Sequence, residues 1–379
     1  MNHIYVDHAA TSPVHPEVVE EMLPYLTEHF GNPSSIHFFG RKTRQVLDEA
    51  RMICARSIGA TANDIIFTSG GTEADNAALF GVANENKARG KHIITTQIEH
   101  HAVLHTCHEL EKRGFEVTYL PVDQFGRIAL SDLQAALRDD TILVSIMYGN
   151  NEVGTLQDIP AIGKMLEEHP AYFHTDAVQA YGLVDIDVNE LHIDLLSISG
   201  HKINGPKGTG FLYVREGIAF RPHLFGGEQE RKKRAGTENV AGIHGLAKAV
   251  SIMSQQRHER LKTYESFRDK MLSIFNEEGI QFELNGDKEH YLPHILNVSF
   301  PGIKAEVMLV NLDLAGIAAS SGSACTAGSV LPSHVLVAMF GETDRVKTAI
   351  RYSFGLGNTL EKIEQVSRET VKIVKRLQK

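Results

Sequence analysis

At 379 residues the chain is too long for one ordinary core, so one large and one smaller domain are expected. Its 42% hydrophobic and 22% charged residues match a water-soluble globular protein, and a formal charge of −9 argues against a nucleic-acid groove as the main feature. Cys54, Cys107 and Cys325 are too few for a disulfide framework, no apolar run approaches bilayer length, and Met1-Asn2-His3-Ile4-Tyr5 lacks a basic region followed by an apolar core, so a cytoplasmic location is expected.

Short apolar runs alternate with helical patterns through the middle of the chain. Ile65-Ile66-Phe67, His92-Ile93-Ile94 and residues 117–120, 142–146, 172–174, 195–198 and 211–214 predict strands, while 102–113, 131–137 and 159–168 predict helices. This alternation implies an α/β fold with a mostly parallel sheet covered on both faces, and a ligand beyond the carboxyl ends of its strands. From about Asn239 a polar periodic stretch predicts one long helix to roughly Glu278. A strand at 294–300, a helix at 305–312, a strand at 350–353 and a terminal helix at 360–377 then predict a smaller α+β domain.

Chemistry-bearing residues fall at the strand ends. Thr68-Ser69-Gly70-Gly71-Thr72-Glu73 follows a strand and opens a helix at about Glu73, which suits either a phosphate cradle or a tight turn with Thr72 as N-cap. His100 stands at the next strand-to-helix junction. Asp176, with Gln179 shortly after it, either caps a helix or holds a heteroaromatic nitrogen in its protonated form. Ser199-Gly200-His201-Lys202 puts an amine at a strand end, where Ser199 and His201 can donate to the same phosphate. Ser320-Ser321-Gly322-Ser323-Ala324-Cys325-Thr326 puts a thiol in a stretch too poor in bulk to pack a core. An amine and a thiol so placed suggest covalent chemistry in two places.

Other features have competing readings. His101, His105 and His108 have helical spacing for a metal, but no acid of comparable spacing completes the set, and no metal is expected. Arg231-Lys232-Lys233-Arg234 reads as a solvated loop more readily than as a nucleic-acid patch. Arg351, within a strand-like run, either pairs with a structural acid or clamps a carboxylate.

Taken together, these motifs resemble cysteine desulfurases of the NifS/IscS type, in the class V branch of the pyridoxal-phosphate fold-type I enzymes. The resemblance covers nearly the whole chain. It includes residues 5–11, Gly31-Asn32-Pro33-Ser34-Ser35-Ile36-His37, residues 68–76, Glu99-His100, and Asn150-Asn151-Glu152-Val153-Gly154. It continues through 176–179, 199–208, 234–239, 320–328 and 351–355.

The resemblance implies a division into residues 1–15, packing with the small domain, a large cofactor-binding domain at 16–255, and a small domain with the cysteine loop at 256–379. It also implies roles. Lys202 would hold pyridoxal 5'-phosphate covalently, and His100 would stack on its ring and move protons. Asp176 would pair with the ring nitrogen and Gln179 with the ring oxygen. Gly71, Thr72, Ser199 and His201 would hold the phosphate, joined by Thr237 from the partner subunit of a homodimer. Asn151 and Arg351 would orient the carboxylate of L-cysteine, and Cys325 would take its sulfur. The implied acceptor is a sulfur-receiving protein in iron–sulfur cluster assembly or tRNA thiolation, with no direct nucleic-acid or membrane partner.

Overall fold

The computed structural model describes residues 3–322 and 332–378. Its larger half is built from α1 (Pro16–Thr27), α2 (Phe38–Arg56), β2 (Ile65–Thr68), α3 (Gly71–Glu85), β3 (His92–Thr96) and α4 (His101–Lys112), β1 (Ile4–Tyr5) having opened the chain. There follow β4 (Glu116–Leu120), α5 (Leu130–Ala136), β5 (Thr141–Ser145), α6 (Ile159–Leu166), β6 (Tyr172–Asp176), β7 (Leu195–Ser199) and β8 (Gly210–Val214). The strands form one sheet in the order β2-β8-β7-β6-β5-β3-β4, and β8 alone runs against the others.

The composition of these strands follows from burial on both faces, which rewards continuous apolar runs over alternating ones. Phe67, Ile94, Val144, Phe173 and Leu196 point to the face covered by α2, α6 and the start of α7 (Val240–Glu277). Ile66, Ile93, Leu143, Leu195 and Leu212 point to the opposite face, where α3 and α4 lie. The sheet is thus a rigid floor whose strand ends share one edge.

The remaining elements are β9 (Glu283–Asn285), β10 (Ile295–Ser299), α8 (Ala305–Leu314), β11 (Ile317–Ala318), α9 (His334–Phe340), β12 (Ala349–Ser353) and α10 (Leu360–Leu377). An antiparallel sheet β12-β10-β9 packs with α8, α10 and the second half of α7 around a separate core. α7 serves both cores: Ile243, Leu246 and Val250 enter the first, Phe267, Met271 and Phe275 the second. β1 pairs in parallel with β11 through Ile4 opposite Ile317, and Ile4 and Val6 join the second core. The chain then crosses to the first sheet, where the Ser12 amide donates to the His201 carbonyl at 3.1 Å. No helix among the described residues is long and apolar enough to cross a membrane.

Candidate active site

A cavity of about 500 Å³ opens where the strand ends of the large sheet face β12 and the N-terminal segment. Of the residues singled out from the sequence, Gly71, Thr72, His100, Asn151, Asp176, Gln179, Ser199, His201, Lys202 and Arg351 all line it. Thr237 does not, and lies exposed on the loop after β8. Cys325 lies outside the described residues. Ser320 and Gly322, which precede it, line the cavity.

Lys202 ends a short 3-10 turn directly after β7. Its Nζ donates to the carbonyl of Ala9 and, at 2.7 Å, to that of Ala10. Burial lowers the Lys202 pKa to about 8, Arg351 adds to the effect, and Asp7 and Asp176 oppose it. Asp176 ends β6, is 5% exposed and accepts the Val178 amide at 2.9 Å. That local turn replaces the helix-capping role its position allowed. Burial raises its pKa. Gln179 donates through Nε2 to the Ala9 carbonyl at 2.9 Å, with His294 Nε2 at 3.3 Å from its Oε1.

Against Val178 and Ser199 stands the start of α3. This helix begins at Gly71, earlier than Glu73, so Thr72 lies inside its first turn and is not its cap. Gly70 holds the cap position with φ of 143° and offers no side chain, leaving first-turn N–H groups available. An added Cβ on Gly71 would meet Val178 Cγ2 at 2.8 Å, so only glycine leaves the cradle open there. Ser199 lies beside these glycines, and His201, its Nδ1 3.0 Å from Thr11 Oγ1, lines the same cavity. His100 is the N-cap of α4, and its Nδ1 accepts the Ala102 amide at 3.1 Å. The neutral ring therefore carries its proton on Nε2. Burial and the nearby Lys202 charge hold the His100 pKa down at about 4.

Arg351, on β12, is 3% exposed. Its Nη1 donates to the Asn151 carbonyl at 2.8 Å and its Nη2 to Asp7 Oδ1 at 2.9 Å, leaving a buried Nε unpartnered. It thus pairs with an acid, and it also lines the cavity.

Three acids around the cavity carried no assigned role in the sequence. Asp7 pairs with Arg351. Asp75, on α3, has an unpartnered Oδ1 near His174 Nε2 at 3.7 Å, and that histidine is itself held between Ser145 and Ser197. Burial, then the neighbouring Asp176, drive the Asp75 pKa well up. Glu152 accepts the Ser333 hydroxyl at 2.5 Å and packs against Gly322, where an added Cβ would stand 2.6 Å from its Oε2. Helical and strand periodicity is blind to all three, because each acts through partners distant in sequence.

Among the described residues no group of three potential ligands is placed to hold a metal. His101 and His105 stack at 5.0 Å between ring centroids, and His105 lies 6.3 Å from His108. The basic run also departs from a purely solvated loop. Arg234 is paired with Glu73 at 2.8 Å, and Arg231 donates to the carbonyls of Ala62 and Asn63.

The residues present fit pyridoxal phosphate. An open helix N-terminus suits a dianionic phosphate, a buried carboxylate suits a protonated ring nitrogen, and an amine of lowered basicity suits a covalent carbonyl link.

Residues 4–366 match the family described as aminotransferase class-V. The chain is 61% identical over 378 residues to a protein named putative cysteine desulfurase IscS 1 of Bacillus subtilis, covering all of both. It is 50% identical over 378 residues to a cysteine desulfurase IscS of Methanosarcina thermophila, covering 99% of this chain and 92% of that one. Among solved structures, a NifS-like protein superposes with a TM-score of 0.93 at 37% identity, over 99% of this chain and all of the other. A structure titled SspA in complex with cysteine matches with a TM-score of 0.82 at 37% identity, over 92% and 98%. With this match running almost from end to end, over a cavity whose residues suit the cofactor, the chain belongs to the class V aminotransferase family.

Proposed function

We propose that this chain is a pyridoxal-phosphate-dependent cysteine desulfurase that converts L-cysteine to L-alanine and leaves a persulfide on Cys325. The observation that carries the reading is the convergence on one cavity of a low-basicity amine, a buried carboxylate, an open helix N-terminus and an arginine. Kinship with proteins named cysteine desulfurase over the whole length supports it.

The chain's own residues divide the work. Gly71, Thr72, Ser199 and His201 would hold the phosphate, Asp176 the ring nitrogen and Gln179 the ring oxygen. Bound there, the cofactor supplies an electron sink that lets the Cα–H and then the Cβ–S bond of the substrate break. Arg351 and Asn151 would orient the substrate carboxylate, with Asp7 keeping the guanidinium aimed. Near neutral pH the Lys202 Nζ is poised both to take the Cα proton and to return it, because its pKa of about 8 lies close by. His100, with its Nδ1 engaged by Ala102, presents its Nε2–H to the reacting groups as a hydrogen-bond donor.

Cys325 would take the sulfur. Ser320 and Gly322 line the cavity, and Cys325 is three residues beyond Gly322, a reach of at most roughly 10 Å. Cys54 and Cys107 are buried, and burial raises both thiols well above the ordinary value, so neither is a thiolate near neutral pH. The Cys325 thiolate bonds to the substrate sulfur as the Cβ–S bond breaks, and the carbon gains the proton that makes alanine. Substrate and thiol together account for every atom and electron, so no outside oxidant is needed. The persulfide then passes to an acceptor in iron–sulfur assembly or tRNA thiolation. Thr237, exposed on its loop, would complete the phosphate site of the other subunit in a homodimer.

Lys202→Ala tests the cofactor assignment. The variant should fold, retain no cofactor that borohydride can fix to the protein, and lose all turnover. Cofactor still fixed at another lysine would refute it.

A further inference from the structure

The loop between β8 and α7 carries Thr237, and it is held in an unusual way. Glu230, Arg231 and Lys232 are three consecutive non-glycine residues with φ of 45°, 54° and 64°. Side chains disfavour this left-handed region, and runs of it persist only where surroundings impose it. Two tethers hold it: Arg231 donates to the carbonyls of Ala62 and Asn63, and Glu230 sits in a buried ion pair. Glu230 accepts from Arg51 Nη1 and Nη2, each at 2.6 Å, and from the Phe67 amide at 2.9 Å. Arg51 in turn donates to the Ile65 carbonyl at 2.7 Å and lies over the Phe67 ring at 4.6 Å. Arg51 is 4% exposed and Glu230 6%. Arg234 then ties the loop to Glu73 in the first turn of α3, and Glu73 also accepts the Ser69 amide. Beyond these tethers Thr237 is exposed and does not line its own chain's cavity, and Leu224 and Phe225 of the same loop are 42% and 74% exposed.

We propose that the Arg51–Glu230 pair is a positioning device that holds this loop in its left-handed form, so that Thr237 reaches the cofactor phosphate of the partner subunit. The inference rests on the reading of Thr237 as a residue shared across a dimer. The pair's partners have unequal freedom. Phe67 and Ile65 are fixed in a strand laddered to β8, and Arg51 is fixed on a long helix, whereas the loop is held against its own backbone preference. Loss of the pair therefore loosens the loop at Glu230, while the Arg234–Glu73 contact and the Gly70–Gly71 turn keep the chain's own cradle in place. Its effect should appear in the other subunit's site. A pair serving only to stabilise its own chain would show no such direction.

Mixed dimers separate the two cases. Removing Glu230 alone would strand a buried arginine, so the main variant replaces both partners with apolar residues of similar size, Arg51→Met with Glu230→Leu; Glu230→Gln is the milder second variant. In one dimer the altered chain also carries Lys202→Ala, and the other chain is wild type. In the second dimer Lys202→Ala is on the otherwise wild-type chain. Each is titrated with pyridoxal phosphate, reduced with borohydride, and the modified Lys202 is counted by mass on the one chain that has it. Thermal melting of the cofactor-free dimers checks folding. The expected result is at least tenfold weaker loading in the first dimer, with near wild-type loading in the second, and the same order for Glu230→Gln. Equal loading, or the reverse order, overturns the proposal. Thr237→Ala in the same two arrangements tests the underlying reading by itself. If it follows the crossed pattern and the pair does not, only the proposal falls; if it does not, or if the loaded enzyme is a monomer, the shared-site reading falls with it.

Discussion

Lys202 shows how the fold sets the chemistry of one residue. Its amine is surrounded by backbone carbonyls, a guanidinium and two carboxylates, and burial outweighs the acids. A lysine pKa depressed in the folded state contributes stability that is present above its ordinary value of 10.5 and lost as pH falls through about 8. The same depression makes the neutral amine available near physiological pH. The rate at which cofactor-free protein captures pyridoxal phosphate covalently should therefore rise about tenfold per pH unit and level off near pH 8. Stopped-flow absorbance would record it, and a rate still climbing at pH 10 would show an unperturbed lysine. Lys202 was legible in the sequence because a strand ending in Ser-Gly-His-Lys puts the amine at a predictable edge. Glu230 was not: beside four basic residues it reads as solvent-exposed, and only its distant partners Arg51 and Phe67 reveal a buried group.

The element that matters most is the turn from β2 into α3. The strand delivers the chain to the sheet edge, Gly70 turns it at positive φ, and Gly71 opens the helix without a side chain against Val178. Gly71→Ala should leave the melting temperature of the cofactor-free protein within a few degrees of wild type. It should weaken cofactor binding by on the order of 1–3 kcal/mol, roughly fivefold to 150-fold, since Val178 must shift to admit the methyl group. Equilibrium dialysis measures this, and unchanged affinity would mean that the cradle does not contact the phosphate. At this scale the sequence is readable where burial is two-sided: runs such as Ile65-Ile66-Phe67 and Leu195-Leu196 announce strands. Periodicity does not carry strand direction, so the reversed β8 was hidden. The two-residue strands β1 and β11 are too short to have a period, although their pairing brings Asp7 to Arg351.

At the scale of the whole molecule, two cores share a helix and enclose one cavity. α7 spans them, the N-terminal segment leaves the second core to cross over Lys202, and α9 packs its Val335 and Leu336 with Met147 and Val153 near the cavity wall. The long helix was evident from its polar period, but its two-sided role depends on which cores it meets, and that is a property of the assembled fold. Ser320 and Arg351 exchange backbone hydrogen bonds, which fixes the stretch leading toward Cys325 beside the arginine proposed to orient the substrate. Sulfur acceptance by that cysteine is the claim that separates a desulfurase from other class V enzymes. It is tested most directly by mass spectrometry of wild type and Cys325→Ser after L-cysteine and thiol-blocking alkylation, with alanine measured in parallel. One added sulfur on Cys325 in the wild type is predicted. In the serine variant, protein-bound persulfide and alanine should fall to background while the yellow cofactor and its spectral response to cysteine persist. Sulfur found chiefly on Cys54 or Cys107, or normal alanine release by the serine variant, would contradict it.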